Sequence, residues 1–319
     1  MSLSAESLQK LAATTGYRAE ILEKVDRLID LLNALFQDPY LKARLALKGG
    51  TALNLFYFEL PRLSVDIDLN YIGTINRDIM QTERPEIEQR IQAIAARQNL
   101  NLRRAPGSHA GCKWSFRHAS ALGGNATLEV DLNYMYRQPL WPVQRLDSRQ
   151  IGPLQARNIP VLDIHELAGG KLAALFSRTA ARDLFDAHHL LTGIPTNPQR
   201  LRLAFVLYGA MSQRDWRAVT PDDIQIDFTE ARRQLFPLLI QQGTTRQEQQ
   251  QAHLERTSRE TRQALGKLLP LNEREQAFLD QLREHGKLRP SLLGIEDSLA
   301  AQLEQHPALL WRTSQIRRR

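Results

Sequence analysis

The stretch Leu47-Lys48-Gly49-Gly50-Thr51-Ala52-Leu53 and its continuation Arg62-Leu63-Ser64-Val65-Asp66-Ile67-Asp68-Leu69 decide how the rest of the chain is read. Paired glycines let the backbone turn tightly and approach a bound group closely. Thr51 suits a helix N-cap, and Ala52, Leu53, Leu55 and Phe56 make the next turns apolar. Pro61 closes that helix. Val65, Ile67 and Leu69 then alternate with Asp66, Asp68 and Asn70, the two-residue period of a strand. Asp66 and Asp68 therefore share a face. Two neighbouring carboxylates repel unless a cation lies between them. Magnesium accepts carboxylate oxygens and leaves positions open for substrate phosphates. A helix N-terminus after glycines offers N–H groups to an anion, and Lys48 adds charge. Each half is ordinary alone; together they predict a site that handles metal and phosphate.

Such a site needs a third acid on a neighbouring strand. Leu128-Glu129-Val130-Asp131-Leu132-Asn133 alternates in the same way, so Glu129 and Asp131 share a face, and Asp131 has the better apolar setting. Basic groups are expected further on. In His165-Glu166-Leu167-Ala168-Gly169-Gly170-Lys171-Leu172-Ala173-Ala174-Leu175-Phe176-Ser177-Arg178, Lys171 sits on a helix dense in Ala and Leu, where a charge must reach water or meet an anion. Arg178 follows two turns later on the same face. Arg182, Asp183 and Asp186 come after a break, Arg182 and Asp186 being as well suited to an ion pair as to a ligand. His165, His188 and His189 lack partners at metal-ligand spacing and are read as structural.

The 319 residues suffice for one large or two ordinary domains. Formal net charge is +7, a balance that favours polyanion partners. A small hydroxylated substrate calls for an acidic pocket, so an antibiotic-modifying transferase is the weaker reading. A single cysteine, Cys112, excludes an internal disulfide and a cysteine zinc site and fits a reducing compartment. No signal-peptide pattern or membrane-length apolar run is visible, so a cytoplasmic protein is expected.

Periodicity predicts helices over 17–36 and 84–99, and strands over 100–104, 112–117 and 126–134, with turns at Pro106-Gly107 and Gly123-Gly124. Shorter strands are expected over 151–154 and 159–162. From residue 163 the pattern turns helical: 164–191 with a break near Thr179, 199–211, long exposed helices in 227–265, then 273–285 and 299–310, with a break at 290–293. The fold class is α+β, a mixed first half over 1–160 and a helical half over 161–319.

Four motifs then act in concert. Lys48-Gly49-Gly50-Thr51-Ala52-Leu53, Arg62-x-Ser64-x-Asp66-x-Asp68-Leu69, Lys171-x-x-Ala174-Leu175-x-x-Arg178 and Arg182-Asp183-Leu184-x-Asp186 resemble the AbiEii/AbiGii toxin family. Asn272-Glu273-Arg274-Glu275-x-x-Phe278-Leu279 and His306-Pro307-Ala308-Leu309-Leu310-Trp311 resemble its closing helices. That family holds nucleotidyltransferases of the polymerase-β type, toxins of type IV toxin–antitoxin pairs. The resemblance implies a bilobed protein with a nucleotidyltransferase core and a helical lobe that completes an active-site cleft and binds RNA. It implies that Asp66 and Asp68 are the metal-binding pair, with Asp131 as third acid. Lys171 and Asp183 match the catalytic lysine and acid of the later motifs. Lys48, Gly49, Gly50, Thr51, Ser64, Lys171 and Arg178 form the implied nucleotide-binding set. The wider superfamily often has serine where Thr51 stands, and the hydroxyl is kept. The implied reaction moves a nucleoside monophosphate from an NTP to the 3′ end of tRNA with two Mg²⁺ ions, blocking translation. The implied partner is a winged-helix antitoxin. The competing reading is an inactive RNA- or partner-binding protein on a transferase scaffold; the presence of Asp66, Asp68 and Asp131 argues against it.

Overall fold

The computed structural model describes residues 2–104, 111–240 and 247–318. The chain is α+β and forms two compact units: Met1–Asp163 with Arg232–Gln247, and Ile164–Ala231 with Glu248–Arg319.

In the first unit, α1 (Ala5–Thr15) starts at Ser4, whose side chain accepts from the Ser7 N–H, and ends at Gly16 in the left-handed region. Only Leu8 and Leu11 of this helix are buried, too sparse a stripe to announce it in the sequence. In α2 (Ala19–Gln37), Leu22, Val25, Leu28, Ile29, Leu32 and Leu35 are buried, as their spacing predicts. α3 (Pro39–Lys42) is a single turn capped by Asp38. Then come β1 (Leu45–Lys48), α4 (Gly49–Ala52), a π-helical turn over Leu53–Tyr57 and β2 (Asp66–Tyr71). α5 spans Arg77–Arg97, seven residues longer at its start than the 84–99 the sequence predicts. Pro85 is the second residue of the expected span, and proline is best tolerated in a first turn. Here it lies inside the helix. Asn76 caps the true start by accepting from Asp78 and Ile79, and buried Met80, Ile87, Ile91 and Ile94 hold both sides of the proline in register.

β3 (Asn101–Arg104), β4 (Gly111–Ala119), β5 (Asn125–Asn133), β6 (Gln144–Leu146) and β7 (Ile159–Val161) complete a seven-stranded mixed sheet of order β3-β4-β5-β2-β1-β7-β6. The turn expected at Pro106-Gly107 lies outside the described residues. The strand expected over 151–154 is instead an isolated bridge, Ile151 and Leu154 exchanging two 3.0 Å backbone hydrogen bonds around Gly152 and Pro153. β5 and β2 run parallel, as do β1 and β7; the other neighbours are antiparallel. The sheet has two chemically different faces. Leu47, Ile67, Leu69, Val130, Leu132 and Trp114 are buried on one, against which α2 packs. The opposite face carries the polar partners in the alternation.

The return segment gives unit 1 a contribution from late in the chain. The Leu63 N–H donates to the Leu238 carbonyl at 3.0 Å, and Arg62 bridges to Leu239. A division into two continuous halves leaves this segment out.

In the second unit, α6 (Ile164–Arg178) and α7 (Ala181–Gly193) are separated at Thr179, whose φ is +47°. α8 (Pro198–Met211) packs on α6, with Phe176, Phe205 and Trp216 meeting at centroid distances of 4.9 to 6.0 Å. The region expected as long exposed helices is divided between the units: it holds α9 (Phe228–Gln234), a 3-10 turn over Phe236–Leu238 in the segment that belongs to the first unit, and α10 (Gln247–Leu265); residues 241–246 lie outside the described residues. α11 (Glu273–His285) matches its sequence-predicted bounds and carries an Asn272/Glu275 capping box. The last expected helix, 299–310, is two: α12 (Asp297–Glu304) and α13 (Pro307–Arg317). Pro307 forces His306 into extended backbone and restarts the helix.

Candidate active site

Strand register assembles the acids. β2 and β5 pair with Asp66 opposite Glu129 and Asp68 opposite Asp131. Residues paired across a ladder share a face, so the four carboxylates form one patch, two on each of two adjacent strands. β1 places Lys48 opposite Asp68, and β4 places Lys113 opposite Asp131. The acids are thus flanked by a lysine on each side. Lys113 Nζ lies 2.7 Å from Glu129 Oε2. Burial pushes the Asp131 carboxyl above its ordinary value; Lys48 and Lys113 oppose that shift, while Asp68 and Glu129 add to it. The Glu129 hydrogen bond raises the Lys113 ammonium, with Asp131 and Asp66 acting in the same direction.

The glycine turn meets this patch directly. Gly49 has φ +73°, and a Cβ there would fall 2.2 Å from Asp68 Oδ2. Only a residue without a side chain lets the backbone and that carboxylate come so close. The N-cap of α4 is Lys48, and this corrects the expectation that Thr51 would cap it. Thr51 lies inside the turn, fully buried, and its hydroxyl donates to the Asp66 carbonyl at 2.5 Å. It ties the turn to β2. Gly50 accepts from Asn54 Nδ2 through its carbonyl at 2.9 Å, and Ser64 is buried.

Carboxylate oxygens are the donors a hard divalent cation takes, so the chemistry of the set fits magnesium. Asn70 extends the row by two residues, and its Oδ1 is buried with no hydrogen-bond partner among the described residues. Asp66, Asp68 and Asp131 are aligned rather than gathered: among the described residues, no group of three or more His, Cys, Asp or Glu side chains is arranged to hold a metal ion.

The later motifs meet in the second unit. Lys171 Nζ is buried between Asp183 Oδ1 and Asp186 Oδ2, each at 2.9 Å. Arg178 reaches the same acid, with Nε 2.5 Å from Asp183 Oδ2 and a second bond of 2.9 Å to Oδ1. Burial works against an ionised Asp183, yet Lys171 and Arg178 outweigh it and hold its carboxyl below the ordinary range. Asp183 is 1% exposed, whereas the Arg178 side chain is 65% exposed. Gly169 instead admits the close packing of α6 on α8: a Cβ would lie 2.7 Å from the Ala204 carbonyl. His165 Nε2 accepts from the Asn197 N–H, His188 pairs with Glu260 and His189 Nδ1 meets the Phe185 carbonyl, so all three have local structural partners.

The sequence reading singled out Asp131 and noted Glu129, but missed Lys113. The signal was there: Cys112, Trp114 and Phe116 alternate with it, and counting back from the Gly123-Gly124 turn brings Lys113 opposite Asp131.

Paired acids on two adjacent strands thus stand beside a glycine turn whose backbone closely approaches one of them. The chain matches the family described as nucleotidyl transferase AbiEii toxin, type IV toxin–antitoxin system, over residues 30–312, and it belongs to that family. Among solved structures it is similar to MenT4, a nucleotidyltransferase toxin from Mycobacterium tuberculosis H37Rv, at 18% identity and a TM-score of 0.60, covering 95% of this chain and 98% of that one. That likeness is one of fold. No curated protein matches the chain.

Proposed function

We propose that this toxin-family transferase moves a nucleoside monophosphate from an NTP to an RNA acceptor, the 3′ end of tRNA, and so blocks translation. The observation that carries the reading is the register that sets Asp66 and Asp68 beside Asp131 on one face. Asp66, Asp68 and Asp131 would hold two Mg²⁺ ions. Bound there, the ions supply Lewis-acid polarisation of the acceptor hydroxyl and charge neutralisation on the triphosphate. The chain's own part is to position. The Gly49 backbone lies close against the Asp68 carboxylate, Thr51 ties the turn to the Asp66 carbonyl, and Lys48 supplies positive charge next to Asp68. In the helical unit, buried Lys171 and Asp183 orient Arg178, whose exposed guanidinium is suited to a phosphate. Thr51 contributes through the backbone tie rather than through a phosphate contact.

The net charge of +7 supports an RNA acceptor, bound through its backbone. The proposed place of action is the cytoplasm; among the described residues no helix is long and apolar enough to cross a membrane. A winged-helix antitoxin is the partner proposed from the family.

The test is incubation with Mg²⁺, each labelled NTP in turn and total tRNA. Label is expected in tRNA with one or more NTPs, and Asp66→Ala is expected to lose at least 10²-fold in transfer while keeping its circular dichroism, as loss of an interaction made in the transition state would give. Folded protein that labels no RNA with any NTP would remove the reading.

A further inference from the structure

The strand register sets two ammonium groups, Lys48 and Lys113, beside the four carboxylates Asp66, Asp68, Glu129 and Asp131. The two lysines are not equivalent. Lys48 stands at the edge of the glycine turn, opposite Asp68. Lys113 is engaged with Glu129 at 2.7 Å, although Glu129 is the one acid of the four that the metal reading does not use. The pair is solvated, at 60% and 43% side-chain exposure, so it adds little to stability. Its consequence is electrostatic and local.

We infer that Lys113 is a positioning residue that withholds Glu129 from the metal site. Glu129 lies directly across from Asp66 on the neighbouring parallel strand, where strands are about 4.8 Å apart. Unpaired, it becomes a fourth carboxylate ligand, and a cation with four protein carboxylates has fewer positions left for phosphates. Lys113 occupies Glu129 instead and leaves Asp66, Asp68 and Asp131 as an open, three-acid set. The ammonium also lies near enough to Asp131 and Asp66 to feel both, so it moderates the charge of the whole row.

This inference rests on the reading of the row as a metal site, and the experiment separates the two. Mn²⁺ binding to the full-length protein, without nucleotide, is measured by titration calorimetry for wild type, Asp66→Asn, Lys113→Met, Glu129→Gln and the Lys113→Met/Glu129→Gln double variant. Lys113→Met is expected to tighten Mn²⁺ binding about 3- to 10-fold, since it removes a nearby positive charge and frees Glu129. The double variant is expected to return to within about twofold of Glu129→Gln, because the gain runs through Glu129. Unchanged or weaker binding in Lys113→Met overturns the inference, as does a gain that survives in the double variant. If Asp66→Asn binds Mn²⁺ as wild type does, the metal-site reading itself fails, and the inference with it.

Discussion

Gly49 shows how much one residue carries here. A glycine is read from sequence as freedom to turn, and φ +73° uses that freedom. The larger constraint is spatial, since the Asp68 carboxylate occupies the place of a Cβ. Gly49→Ala is therefore expected to displace Asp68 as well as strain the backbone. The strain alone is worth about 1–3 kcal/mol, measurable as a lower urea midpoint at unchanged slope. Mn²⁺ binding should fall with it; a variant with wild-type stability and affinity would contradict the contact. Thr51 makes the opposite point. Its identity was legible and its role was not, because a hydroxyl looks the same whether it faces a phosphate or, as here, a backbone carbonyl. Cys112 is equally instructive: it is buried beside Glu88 and Arg84, and burial and Glu88 push its thiol up to about 12, which disfavours the reactive thiolate.

At the scale of elements, α6 and α7 carry the cation–acid network, and α8 packs on α6. Gly169 in the middle of α6 reads as a helix-weakening residue, for which alanine gains about 1 kcal/mol in an exposed helix. Against the Ala204 carbonyl the sign reverses. Gly169→Ala is expected to destabilise by about 1–3 kcal/mol, the range for overpacking a close contact, seen as a lower melting temperature. The network also predicts a pH response. The folded Asp183 carboxyl lies below its unfolded value. Its contribution is therefore fully present above the ordinary carboxylate range and lost as pH falls through the folded value. Asp183→Asn leaves buried Lys171 with one carboxylate fewer and is expected to cost about 3–5 kcal/mol at neutral pH. Denaturation curves of the variant and wild type should converge as pH is lowered; a constant gap would refute the ionic assignment.

At the scale of the whole chain, unit 1 is discontinuous. It takes back Arg232–Gln247, and residues around Leu238 and Leu239 bond to Arg62 and Leu63, just before the acidic strand. Arg62 is buried there. A fragment ending at residue 163 lacks this cover. It is expected to melt at lower temperature than the full chain and to bind a dye for exposed apolar surface, even though it contains every acid of the row. A fragment as stable as the full chain would show the return segment to be dispensable.

Much of this protein was legible from residues alone. Alternation located β2 and β5 and the face bearing Asp66, Asp68 and Asp131, because burial of one side of a strand imposes a period of two on the sequence. The α2 stripe and the α6–α7 break followed from the same local logic. The short strands β1 and β6 left no period to read, and α5 ran through the proline that sequence rules place at a helix start. Tertiary structure alone decided which strands pair, and so that Asp68 meets Asp131, that Lys113 engages Glu129, that Thr51 serves the backbone and that Lys171 is buried between two acids. These are long-range pairings: local periodicity tells which way a side chain faces, and only the folded register tells what it faces.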